Sequence, residues 1–115
     1  MAYDEFLAER MTRIFHEKNI SFEARKMMGG ICYLVDDKMC AGIYKNKVMA
    51  RIDPEIYDMA LTKEGCQPLD ITGQSMKGFV LIEQEAVDMD KDLEYWIDLC
   101  LEFNPRAKSS KKKRK

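Results

Sequence analysis

Histidine, cysteine, serine and the carboxylates are the residues here that could do chemistry, and their spacing decides which chemistry is open. The one histidine, His16, sits between Phe15 and Glu17 with no second imidazole to share a metal or relay a proton. It reads as a surface or helix-end residue. Four serines (Ser21, Ser75, Ser109 and Ser110) and four cysteines could act as nucleophiles, but only one imidazole exists to activate any of them. This argues against a hydrolase built on a nucleophile and a base. Cys32, Cys40, Cys66 and Cys100 lie 8, 26 and 34 positions apart, so no C-x-x-C pair suggests zinc or a redox site. Buried free thiols are expected.

Carboxylates crowd residues 83 to 102, eight of them against the single Lys91. No glycine-marked loop of the Ca²⁺-binding kind accompanies them, and a solvated helix face accounts for them. A phosphate-binding glycine turn should lie between a strand and a helix. Gly29-Gly30 is instead followed by the strand-like Ile31-Cys32-Tyr33-Leu34-Val35, so it reads as a tight turn or bulge that needs a positive φ. No catalytic residue, metal or cofactor is expected.

The remaining chemistry is charge. The formal net charge of -1 hides seven basic and no acidic residues from Arg106 to Lys115, namely Arg106, Lys108, Lys111, Lys112, Lys113, Arg114 and Lys115. Removing those seven from the 19 basic residues leaves twelve against 20 acidic ones, so the rest of the chain carries -8. A run of lysine and arginine can bind phosphate backbones by releasing counterions. Arg25 and Lys26 are a second cationic pair that could touch a partner.

The elements that must carry these groups follow from periodicity. Tyr3, Leu7, Met11 and Ile14, widened by Phe6 and Phe15, recur at helical spacing, while Glu5, Glu9, Arg10 and Arg13 fall mostly elsewhere; a helix should end near Lys18-Asn19. Strand formers then fill 21–28, 31–35, 39–44 and 48–52, separated by Gly29-Gly30, Asp36-Asp37-Lys38 and Lys45-Asn46-Lys47. Breaks that short force antiparallel hairpins. A two-residue turn at Asp36-Asp37 would set Tyr33 opposite Cys40 and Cys32 opposite Ala41, with Cys32 and Cys40 on different faces.

Asp53-Pro54 should start a short helix reaching about Glu64, closed by Gly65. An irregular stretch follows, then a buried strand at Phe79-Val80-Leu81-Ile82. Leu93, Trp96, Ile97, Cys100 and Leu101 predict a final helix, capped by Asp88 or Asp90 and ended by Pro105. Leu93, Trp96, Ile97 and Leu101 should be largely buried, with the first and last helices on one face of the sheet. The expected architecture is α+β: an antiparallel meander carrying both terminal helices. Residues 1–105 form the domain and 106–115 a basic flexible tail.

With 115 residues, 46% hydrophobic and 34% charged, the chain fits one globular domain. No apolar run is long enough to span a bilayer, and the start is acidic where a secretory signal would be basic. A cytoplasmic protein with no membrane partner is expected.

Three segments together carry a resemblance. They are Arg25-Lys26-Met27-Met28-Gly29-Gly30-Ile31-Cys32-Tyr33, Met39-Cys40-Ala41-Gly42-Ile43 and Ala50-Arg51-Ile52-Asp53. They resemble the amino-terminal domain of the TfoX/Sxy family, from about Phe22 to Phe103. Arg25, Met27, Gly29 and Gly30 form its most specific element; Gly73, Met76, Lys77, Asp92, Leu93 and Trp96-Ile97 are similar to later parts of it. The resemblance implies an α+β domain and a link to regulators of bacterial DNA uptake competence, and it implies no known reaction. The chain is expected to be that domain alone, without the helical second domain of the two-domain regulators. A regulatory module contacting a protein or nucleic acid is the first functional expectation. The alternative is an enzyme or small-ligand protein, with its pocket at Arg25, Tyr33 and Asp53.

Overall fold

The structure, a computed structural model, describes residues 3–27, 29–69 and 77–107. Helix α1 (Glu5–Glu17) begins where the Asp4 carboxylate accepts from the amides of Phe6 and Leu7 at 3.0 and 3.1 Å. It stops at Asn19, whose φ of 59° lets Ile20 N–H reach back to Phe15 O and Asn19 N–H to His16 O. This is the paired closure in which asparagine can stand in for glycine.

Six strands form one antiparallel sheet in the order β1-β2-β3-β4-β6-β5: β1 (Glu23–Met27), β2 (Gly30–Val35), β3 (Lys38–Tyr44), β4 (Lys47–Arg51), β5 (Cys66–Pro68) and β6 (Phe79–Ile82). The first four are the expected hairpins. The sheet is a meander only that far, because β6 returns to pair with β4 and puts β5 on the outer edge. Strand β5, absent from the sequence reading, is three residues long and ends in Pro68; among the described residues it has a partner on one side only, a position where proline is tolerated.

Register differs from expectation at one place. Asp36 and Asp37, both at positive φ, make the tight turn, and Val35 faces Lys38 as the two-residue loop requires. A bulge then inserts Cys40, so Tyr33 faces Ala41, not Cys40, and Cys32 faces Gly42, not Ala41. The extra residue lets Cys40 and Ala41 both enter the core under the helices, while Cys32 stays with the opposite face.

Helix α3 (Asp90–Phe103) and α1 cover the same face, as their single apolar stripes required. Leu7, Met11 and Phe15 meet Leu93, Trp96 and Ile97 over Ile43, Val48 and Val80, with Trp96 only 4% exposed. Leu101 is half-buried. On the other face Met49, Leu69 and Leu81 pack with the partly covered Met27, Cys32, Met39, Tyr44 and Phe79. The expected irregular segment through Gly73 and Met76 lies outside the described residues.

Two helix-end expectations are corrected. The helix begun by Asp53-Pro54 is a 3-10 turn (Pro54–Ile56) running into the four-residue α2 (Tyr57–Ala60), well short of Glu64. The Thr62 hydroxyl donates to Met59 O at 2.6 Å, ending the ladder early. At the start of α3, Met89 rather than Asp88 or Asp90 holds the cap position, with no side-chain cap bond; Asp90 is already the first helical residue, and its carboxylate pairs with Arg10 and Arg13. As expected, α3 ends just ahead of Pro105, at Phe103, though Asn104 stays helical (φ -51°, ψ -41°) and a 3-10 turn runs through Pro105 to Arg106. Proline fits there because the first turn of a helix needs no donor from it.

All four cysteines are free thiols, two of them buried. Burial pushes the Cys66 thiol up to about 11, raises Cys32, and with the adjoining Cys40 raises Cys100 well above the ordinary thiol range. Because the thiolate is the reactive form, Cys32, Cys66 and Cys100 should label slowly in the native protein at neutral pH. Titration in denaturant without reductant should count four thiols, and a count of two or fewer would contradict the structure.

Candidate interaction site at the carboxy-terminal turn

The turn after α3 is fastened at three points, two on the sheet and one at Asp53 just beyond β4. Lys38, at the start of β3, donates from Nζ to Asn104 O at 3.0 Å and Pro105 O at 3.3 Å, placing a cation on carbonyls at the helix end. Asn104 Nδ2 donates to Val35 O at 3.2 Å. Arg106 Nη1 lies 2.7 Å from Asp53 Oδ2, and its guanidinium sits 5.3 Å from the Phe103 ring centre. Ala107 is buried. The packed body therefore continues past residue 105, and Arg106 belongs to it.

Asp53 holds two jobs, one per oxygen. Oδ1 accepts from the Glu55 amide at 2.9 Å and Oδ2 from Arg106. That amide first, then the guanidinium, draw its carboxyl below the ordinary value, and Asp53 in turn raises Arg106. A carboxyl lowered in the folded state stabilises above its unfolded value and loses that contribution as pH falls through the folded one. The anchor thus stays charged across neutral and mildly acidic pH.

The other expected contact residues lie elsewhere. Arg25 is exposed on β1, its Nε and Nη2 both 3.2 Å from Glu23 Oε2, and Lys26 beside it is exposed too. Arg25 is paired within its own strand and Arg106 is paired with Asp53, so the two cations serve separate contacts. Lys108, Lys111, Lys112, Lys113, Arg114 and Lys115 lie outside the described residues. Of the family element, Met27 packs on the open face with its sulfur 3.1 Å from Cys32 Sγ. Gly29 takes φ +82° and Gly30 is buried.

The pocket expected at Arg25, Tyr33 and Asp53 is not assembled. Tyr33 is buried against Phe15 and Phe22, its hydroxyl 2.8 Å from Thr12 Oγ1 and donating to Ala8 O at 3.0 Å. It borders a hollow of about 330 Å³ beside α1, whereas Asp53 borders a cavity of about 70 Å³ beside Phe103. Arg25 borders neither of the two. A further hollow of about 560 Å³ is rimmed by Glu64, Glu83, Glu85 and Asp92. No group of three or more His, Cys, Asp or Glu among the described residues could hold a metal ion. No helix among the described residues is long and apolar enough to cross a membrane.

Sequence reasoning missed the one buried charge among the described residues. Arg10 sends Nη2 to Val87 O at 2.8 Å, to Asp88 O at 3.3 Å and to Asp90 Oδ1 at 3.0 Å, tying α1 to the start of α3. Its position beside the apolar stripe was the only local signal, since its partners lie about eighty positions away.

Fold and site together define a small α+β domain: a six-stranded antiparallel sheet with its terminal helices on one face and a carboxy-terminal turn pinned to the sheet. The family described as TfoX N-terminal domain matches residues 15–104, most of the chain, and the protein belongs to that family. No curated protein and no solved structure matches it.

Proposed function

We propose that this domain is a non-enzymatic, regulatory interaction module that contacts an anionic partner, nucleic acid first, through the basic run that follows its anchored turn. The observation that carries this reading is the segregation of charge, six basic residues and no acid after Ala107 in a chain otherwise dominated by acids. A cationic run gains affinity for a phosphate backbone by displacing counterions. Pinning Asn104 and Pro105 to the sheet and Arg106 to Asp53 gives that run a fixed point of departure. The family's link to regulators of DNA uptake competence agrees with such a role, and a cytoplasmic setting would put the run beside nucleic acid.

Anchoring also redefines the useful truncation. Removing 108–115 should leave the melting temperature nearly unchanged, because Arg106 and Ala107 keep their contacts, and should abolish binding to a nucleic acid strand. If the truncated protein binds as tightly as the full chain, contact comes from the folded body and the proposal fails.

A further inference from the structure

Strand β1 ends the sheet, and among the described residues no strand pairs with its outer edge. Its residues are exposed except for the half-buried Met27. Natural sheets blunt such edges with proline, bulges, short strands or charged side chains, lysine above all; β1 carries charges at Glu23, Arg25 and Lys26, but it has no proline and runs in unbroken register with β2 over five pairs. In a hairpin closed by a two-residue loop the flanking residues, Met27 and Gly30, form the hydrogen-bonded pair and the pattern alternates from there. Met27, Arg25 and Glu23 therefore spend their backbone groups on β2. Ala24 and Lys26 point theirs outward.

We propose that this edge pairs with β1 of a second copy of the same chain, antiparallel about Ala24, joining two sheets into one. Charge selects both the occupant and the register. Two-fold pairing about Ala24 sets Glu23 opposite Arg25 of the second copy, twice by symmetry, and brings two small alanines together at the axis. Pairing about Glu23, Arg25 or Lys26 instead sets like charges face to face, which is destabilising in a sheet. The Glu23 and Arg25 positions also form a non-hydrogen-bonded pair, the kind whose side chains approach more closely. In the single chain these two side chains already bond along the strand, so association only exchanges partners. A lone strand pair lies at the small end of specific interfaces, and the dimer is transient.

Sedimentation equilibrium from micromolar to millimolar protein reads this directly. The wild type should associate to a dimer and no further. Ala24→Pro removes an outward amide that makes no bond to β2, and it should raise the dimer dissociation constant about tenfold or more while the single chain stays folded. Glu23→Arg and Arg25→Glu should each weaken association about tenfold, and the double exchange should return it to within about twofold of wild type, because opposite charges again face one another. The chain ending at Ala107 should dimerise like the full chain, so the outcome is separate from that for the basic run. A wild type that stays monomeric at millimolar concentration overturns the proposal, and so does a folded double variant that associates no better than the single ones.

Discussion

Gly30→Ala should destabilise the domain by about 3 kcal/mol or more, against about 1 to 2 kcal/mol for Gly29→Ala. The two neighbours serve for different reasons. Gly29 has φ +82°, and a Cβ there would meet the Tyr44 ring edge at 3.0 Å, a side chain that can turn away. Gly30 lies where β2 runs against β3, and its Cβ would come within 2.2 Å of Ile43 O, a backbone atom held by the ladder. Relief there requires the hairpin to separate, disturbing the sheet where β1, β2 and β3 meet. Denaturant unfolding of the two variants checks the order, and the reverse order would mean that the turn, not the close approach, sets the requirement at this element.

Arg10→Ala should cost about 2 to 4 kcal/mol, more than any change at its exposed partner Asp90. The Arg10 side chain is 10% exposed and that of Asp90 64%, so the carboxylate contributes as a surface pair does, at most about 1 kcal/mol. What cannot be replaced is the donor to Val87 O, a buried bond, together with the packing of the arginine stem. Arg10→Met keeps most of the stem and loses the donors, so its deficit against wild type isolates the hydrogen bonds. Thermal and denaturant unfolding of Arg10→Ala, Arg10→Met and Asp90→Asn should rank them in that order of damage, and an Asp90→Asn loss equal to that of Arg10→Ala would show that the ion pair, not the buried carbonyl, is what matters.

What could be read from the chain alone was whatever local residues decide. Asn19 marks the end of α1, Asp36-Asp37 supplies two residues tolerant of positive φ, and the apolar stripes of α1 and α3 leave each helix one face to bury. Features set by distant partners were not legible. The bulge at Cys40 is marked by no residue near it in the sequence. The requirement at Gly30 comes from a strand thirteen residues on, and reading Gly29-Gly30 as one turn signal merged two causes. Arg10 and Arg106 both look solvated by composition, yet one is buried on carbonyls at Val87 and Asp88 and the other is fixed to Asp53. The candidate site shifted accordingly. Arg106 moved from the tail to the body, and Arg25 became half of an ion pair rather than a free cation.

That shift fixes the central number. With Arg106 committed to Asp53, six cations remain after Ala107. Binding of the full chain to duplex DNA across a salt series should therefore fall linearly on logarithmic axes, with a slope no steeper than about -5. A steeper slope would mean that cations of the folded body also contact the phosphates, and an affinity indifferent to salt would contradict the assignment of binding to the basic run.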